Sequence, residues 1–204
     1  LPSYSGRIHA ATWKMLQDLS GYEGEITFDC LIIPNNQTSI SRNIAISGSD
    51  TAIKQNHPFD YFLSTDADMS FTVQTVLMLI DRDKDIISAA YPIRNSLKGE
   101  LTEKFAAGRW QSFPGCAAKS HIFPATEKGL QRVDWCGQGC CLIKKQVLET
   151  MDFPYFRNNI VEHEGHALLL AEDISFSLDV AGYGFEIWVD FDLVVNHHIE
   201  NDFR

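Results

Sequence analysis

Apolar residues in the first half of the chain alternate between helical and strand spacing. Ile8, Ala11, Met15 and Leu19 recur at three- and four-residue intervals, which predicts a first helix over about 7–19. Residues 26–33 form a β-rich run that is stopped by Pro34-Asn35-Asn36. Ser39 is placed to cap a second helix carrying Ile40 and Ile44. Residues 60–65 (DYFLST) predict a short buried strand running into Asp66, and Ser70 or Thr72 is placed to cap a strong helix through Val73, Val76, Leu77 and Ile80. Residues 86–91 predict another strand, closed by Pro92.

The second half is less regular. Between Asn95 and about Gln131 the periodicity is poor, and Gly, Pro, Lys and Ser are common, which predicts an irregular functional loop or lid over 96–131. Order returns with a strand region over 133–143 and a short helix through Val147 and Met151. A polar stretch over 157–165 precedes a helix over about 172–181, with Gly182 as its terminal glycine. Residues 185–189 and 193–196 are the last expected strands. Strands alternating with helices predict an α/β domain with a doubly wound, mostly parallel sheet, which binds ligands beyond the carboxyl ends of its strands.

Composition narrows the chemistry. The 204 residues are 45% hydrophobic and 22% charged, which places the chain among globular domains. Seventeen Lys and Arg against 27 Asp and Glu give a formal charge of −10, so no sequence-wide electrostatic footprint for nucleic acid exists. No apolar run approaches the roughly 18–20 residues of a membrane span, so no integral membrane segment is expected. The five cysteines match neither a disulfide framework nor a paired C-x-x-C zinc site, so reduced thiols and a cytoplasmic location are the expectation.

Asp66-Ala67-Asp68 follows the buried Tyr61-Phe62-Leu63 run directly. Two carboxylates spaced this way where a strand breaks into a turn converge on one hard cation, Mg²⁺ or Mn²⁺, which commonly shares its shell with substrate phosphates. The same two residues also serve simply as turn formers and as the cap of the next helix. A phosphatase of the haloacid-dehalogenase type uses such a pair as nucleophile and acid. That superfamily places the pair at its first strand, whereas here two strand–helix units precede it.

A series of short elements, in order, resembles the GT-A-fold glycosyltransferases over nearly the whole chain. Pro2-Ser3-Tyr4 resembles the end of the first strand, and Ser41-Arg42-Asn43 the R-N pair opening a helix. Phe62-Leu63-Ser64-Thr65-Asp66-Ala67-Asp68 resembles the D-x-D strand, and the run ending in Tyr91-Pro92 the strand after it. Trp135-Cys136-Gly137-Gln138-Gly139 is similar to a W-x-G-x-G element, Glu172-Asp173-Ile174-Ser175-Phe176 to an E-D-x-x-F helix start, and residues 190–197 to a closing D…H element.

The resemblance implies one GT-A domain, a mixed, mostly parallel sheet flanked by helices, with a nucleotide-binding half over about 1–95 and an acceptor and catalytic half over about 130–204. It implies transfer of a sugar from a nucleoside diphosphate sugar, UDP favoured, to an acceptor hydroxyl that the sequence does not identify. Pro2, Ser3 and Tyr4 would seat the base, and Arg42 would meet the diphosphate or sugar. Asp68 would bind Mn²⁺ or Mg²⁺ directly, with Asp66 on the ribose or the metal's outer shell. His197, seven residues after Asp190, would be a third ligand, with the adjacent His198 as the alternative. Asp173 would take the acceptor proton, with Glu172 beside it, and inversion of configuration is favoured. Trp135, Gly137 and Gly139 would wall the acceptor side. His163 and His166, with Gly165 between them, are read as loop residues rather than a metal pair. A non-catalytic nucleotide-binding protein of the same fold is the alternative outside enzymology.

Overall fold

The computed structural model describes residues 1–3, 7–34, 37–48, 59–95, 100–111, 120–163 and 165–199. Strand β1 (Pro2–Ser3) pairs in parallel with β2 (Ile33–Pro34), and helix α1 (Ala10–Ser20) lies between them in sequence. The helix starts later than its periodicity predicts because His9 is its cap, accepting the Ala11 N–H on Nδ1. The expected strand over 26–33 shrinks to its last residue. Ile26, Phe28 and Cys30 do turn inward at every second position, but among the described residues no neighbouring strand pairs with them.

Helix α2 (Thr38–Ser47) begins after Gln37 rather than at Ser39, and ends at Gly48, whose φ of 66° supplies the left-handed stop. Its buried face is polar: Ser41, Arg42, Asn43 and Ser47 all point inward. Asn43 holds the chain at Phe156 from both sides, donating to its carbonyl at 2.6 Å and accepting its N–H at 3.1 Å.

Strand β3 (Tyr61–Thr65) leads through the Asp66–Asp68 turn to β4 (Met69–Ser70) and helix α3 (Val73–Asp81), capped by Thr72. Strand β5 (Ile86–Ala90) is buried at every position and passes into β6 (Pro92–Asn95). The described part of the predicted irregular region is largely sheet: β7 (Glu100–Trp110), β8 (Ser120–Pro124) and the start of β9 (Leu130–Val133) fall in it. Its pattern misled because β7 is long and half exposed, and closes on small residues; Gly108 is required where a Cβ would come within 2.5 Å of the Trp135 indole.

The chain continues through β10 (Trp135–Cys136), β11 (Cys140–Lys144), α4 (Lys145–Thr150), and the hairpin of β12 (Ile160–His163) and β13 (His166–Leu169). His163 and His166 are therefore strand residues paired across the hairpin end, not loop residues. Helix α5 (Glu172–Gly182) ends at Gly182 as expected, with Tyr183 as its cap, but the left-handed glycine is Gly184 (φ 84°). The two last expected strands merge into β14 (Ile187–Val194), with a register shift after Asp190, followed by β15 (Asn196–His197).

The central sheet has the order β3-β11-β5-β14-β9. Strands β3, β5 and β14 share one direction, but β11 runs antiparallel between β3 and β5, and β9 antiparallel to β14. The sheet is mixed, as expected, but the expectation that it is mostly parallel is corrected: among the described residues of this sheet only β5 and β14 pair in parallel. Strands from both ends of the chain interleave, so the two expected halves share one sheet. Alternate residues feed two cores. Ile86, Ile143 and Ile187 meet Phe156, Phe176 and Val180 on one face; Ile87 and Leu142 meet Leu16, Leu19, Val76 and Leu79 on the other. A smaller antiparallel sheet joins β7 to β6, β8 and β10. Cys136, Cys140 and Cys141 are buried and unbridged; Cys116 lies outside the described residues.

Candidate active site

A cavity of about 430 Å³, in the range of small-molecule sites, opens where β3, β5 and β14 end. The Asp66–Asp68 turn forms its floor. That turn is pinned by two backbone bonds from distant segments: His9 N–H to the Ala67 carbonyl at 2.9 Å and His198 N–H to the Asp68 carbonyl at 2.7 Å.

Arg42 is the joint of the site. Although 3% exposed, it donates from Nε to Ser64 Oγ at 3.0 Å, from Nη2 to Asp66 Oδ1 at 2.7 Å, and from Nη1 to Glu172 Oε1 at 2.6 Å. A guanidinium suits this position because its planar fork serves several acceptors at once. Burial works against its charge, but Asp66 and Glu172 more than compensate and raise its pKa. Withdrawal from water raises the Asp66 pKa; Arg42 pulls it back, and Asp68 and Glu172 push it up again, leaving it above the ordinary value.

Asp68 has different company. Arg94 Nη1 lies 3.0 Å from its Oδ2, and His197 Nε2 3.4 Å from the same oxygen. Burial favours its neutral form, but His197 and Arg94 outweigh that and hold its pKa below the ordinary value. His197 Nδ1 meets the Pro92 carbonyl at 2.9 Å, which fixes the proton there and aims Nε2 at Asp68. His198 turns away: its Nε2 meets Ser70 Oγ at 2.7 Å and its ring stacks on His9 at 4.1 Å. Of the two adjacent histidines, His197 is the one that lines the cavity.

Glu172 and Asp173 open α5, where a helix N-terminus favours carboxylates. Burial first, and the Glu172 carboxylate second, push Asp173 up to about 6. Its Oδ1 accepts the Ile174 N–H at 2.8 Å.

Among the described residues no group of three or more His, Cys, Asp or Glu side chains is arranged to hold a metal ion. The donor pair Asp68 and His197 nonetheless fits a cation that takes the rest of its shell from phosphate and water, as Mg²⁺ and Mn²⁺ usually do. The tautomer fixed by Pro92 leaves a nitrogen lone pair facing a carboxylate, an arrangement that needs a proton or a cation between them. Asp66 is already committed to Arg42, so it is held beside that pair rather than offered to it.

The other expected site residues divide. Pro2 lines the cavity, while Tyr4 and the Ser3 side chain lie outside the described residues. Trp135 is 5% exposed and sits behind the wall, stacked on Trp110 at 6.2 Å and packed with Leu170 and Ile174. Gly137 and Gly139 lie against Tyr91, and from that loop Gln138 reaches the cavity. Sequence reasoning passed over Tyr91, Arg94 and Gln138. The signal for Gln138 was its place between two glycines; Arg94 carried none beyond following Tyr91-Pro92. Asp190 is fully buried against Arg82 at 2.8 Å, tying α3 to β14 away from the cavity.

No family model matches the sequence, and no curated protein matches it. Among solved structures the chain is similar to one titled "Crystal Structure of A197 from STIV", with a TM-score of 0.59 and 17% identity, over 98% of this chain and 83% of that one. At that identity the likeness concerns the fold: α/β, with a mixed sheet between helices. Among the described residues no helix is long and apolar enough to cross a membrane.

Proposed function

We propose that the protein is a metal-dependent glycosyltransferase of the GT-A fold, using a nucleoside diphosphate sugar, UDP favoured. One observation carries the reading. Arg42 ties the D-x-D carboxylate Asp66, 24 residues away, to the E-D carboxylate Glu172, 130 residues away, across one cavity that also holds Asp68 and His197. That motifs remote in sequence meet at one cavity is what supports the reading.

In this reading Asp68 and His197 would hold the cation, which when bound would supply Lewis-acid stabilisation of charge on the diphosphate. Arg42 keeps Asp66 and Glu172 apart and fixed. Asp173 takes the proton of the acceptor hydroxyl as the new C–O bond forms at the anomeric carbon; the bond to the diphosphate breaks, and the nucleoside diphosphate leaves with its electron pair. A pKa of about 6 leaves Asp173 ionised at neutral pH yet more basic than an ordinary aspartate. The phosphatase alternative has less support, since it needs Asp66 as a free nucleophile and Arg42 occupies Oδ1.

Calorimetric titration with UDP and GDP, with and without Mn²⁺, tests the reading. The expected result is binding of one nucleotide that Mn²⁺ strengthens and a chelator reverses. If neither nucleotide binds, or the chelator changes nothing, the proposal fails. A nucleotide-binding protein without turnover would pass this titration but show no donor hydrolysis.

A further inference from the structure

The carboxylates around the cavity are matched to cations or N–H groups, whereas among the described residues Gln138 is matched to nothing. It is 2% exposed and lines the cavity, and neither Oε1 nor Nε2 has a hydrogen-bond partner among the described residues. Burying a carboxamide with both ends unmatched forfeits their hydration without return, and native folds keep few such groups.

The backbone on either side is fixed. Gly137 N–H donates to the Ala106 carbonyl at 2.8 Å, and Gly139 N–H donates to Tyr91 Oη at 2.9 Å. Both flanking positions require glycine: a Cβ at Gly137 would stand 2.1 Å from the Tyr91 hydroxyl oxygen, and one at Gly139 2.9 Å from the ring. Gln138 is therefore presented from a rigid seat, the preorganisation expected of a recognition group and unlike a surface glutamine that turns to find water.

A carboxamide offers an acceptor and a donor side by side. A diphosphate offers acceptors alone, so it satisfies only half of that group. Vicinal sugar hydroxyls, each donor and acceptor, satisfy both halves. The position agrees. Strand β10, which leads into the Gln138 turn, packs against α5, whose first turn carries Asp173; the residues suited to a diphosphate, Asp68 and His197, come from other elements.

We propose that Gln138 reads the donor sugar, bonding a pair of its hydroxyls and so selecting the sugar transferred. This rests on the transferase reading above. The test is calorimetry of the wild-type protein and Gln138→Leu with UDP, GDP, UDP-glucose, UDP-galactose and GDP-mannose in Mn²⁺, alongside thermal melts. The free nucleotide should bind both proteins alike. The sugar nucleotide that the wild type binds most tightly should lose about tenfold in the variant. The melting temperature should be unchanged or higher, because an apolar isostere leaves nothing unmatched. Gln138→Met repeats the experiment with a side chain closer in shape.

Three results overturn the role of Gln138: equal affinities of wild type and variants for every sugar nucleotide, equal losses for nucleotide and sugar nucleotide, or a lower melting temperature in both variants. A wild-type protein that binds no nucleotide is a different failure, since it removes the transferase reading and the donor with it.

Discussion

Arg42 and Gln138 face the same cavity and are almost equally buried, yet their surroundings are opposite. Arg42 spends its guanidinium on Ser64, Asp66 and Glu172, whereas among the described residues Gln138 has no partner at either end of its carboxamide. A saturated buried charge holds a site in shape, because removing it strands its partners. An unsaturated buried amide contributes nothing to the empty fold and has its value only toward a ligand. The two walls thus separate architecture from recognition, and substitutions on each should fail in different ways.

The largest effect is expected at Arg42. Arg42→Met leaves Asp66 and Glu172 without a counter-charge and should cost about 3 kcal/mol in urea unfolding, the low end for a broken buried pair because both carboxylates keep a face on the cavity. Arg42→Lys should recover little of it, since an ammonium cannot span three acceptors in a fork. A loss below that of an exposed ion pair would break the contrast with Gln138.

Next comes Asp173, which sits between the two walls. Asp173→Asn should leave nucleotide binding intact and lower donor turnover by about 10²–10⁴-fold. Wild-type turnover should rise with pH through an inflection at about 6, as Asp173 loses its proton. The stability consequence has the opposite sign. The folded state holds this proton more tightly than the unfolded chain, so the stabilisation is present below the ordinary aspartate range and is lost as pH rises through about 6. Unfolding midpoints of wild type and Asp173→Asn should therefore converge at low pH, diverge between the ordinary aspartate range and about 6, and run parallel above that.

The smallest effect concerns Arg94. It is 42% exposed and shares Asp68 Oδ2 with His197, where a cation would compete with it. Arg94→Gln should strengthen Mn²⁺ binding about two- to fivefold, the size of an exposed ion pair, as read by electron paramagnetic resonance of free Mn²⁺. Weaker Mn²⁺ binding in the variant would instead place Arg94 with the architectural wall.

Much of the fold was legible where the hydrophobic pattern was strong. The strand into Asp66, the Thr72-capped helix α3, the fully buried β5 and the helix opened by Glu172-Asp173 all lie close to where periodicity puts them. The smaller sheet was illegible, because β7 mixes exposed Lys and Glu with small residues that make room for Trp135 rather than alternating. The reversed β11 was illegible for a different reason: a buried strand reads the same whichever way it runs between its neighbours.

Local pattern, by itself, determined the strand into Asp66, the buried β5 and the helices α3 and α5, and that acidic pairs stand at a strand end and at a helix start. Both are short-range properties, set by side-chain spacing and by the chemistry of element ends. Only the tertiary structure decided that Arg42 joins those two pairs, that His197 rather than His198 faces Asp68, and that Gln138 rather than Trp135 reaches the cavity. Each depends on packing between residues far apart in the chain. For buried polar groups that packing leaves no trace in hydrophobic periodicity, because a guanidinium or an amide becomes a core residue only when its distant partners, or a ligand, arrive beside it.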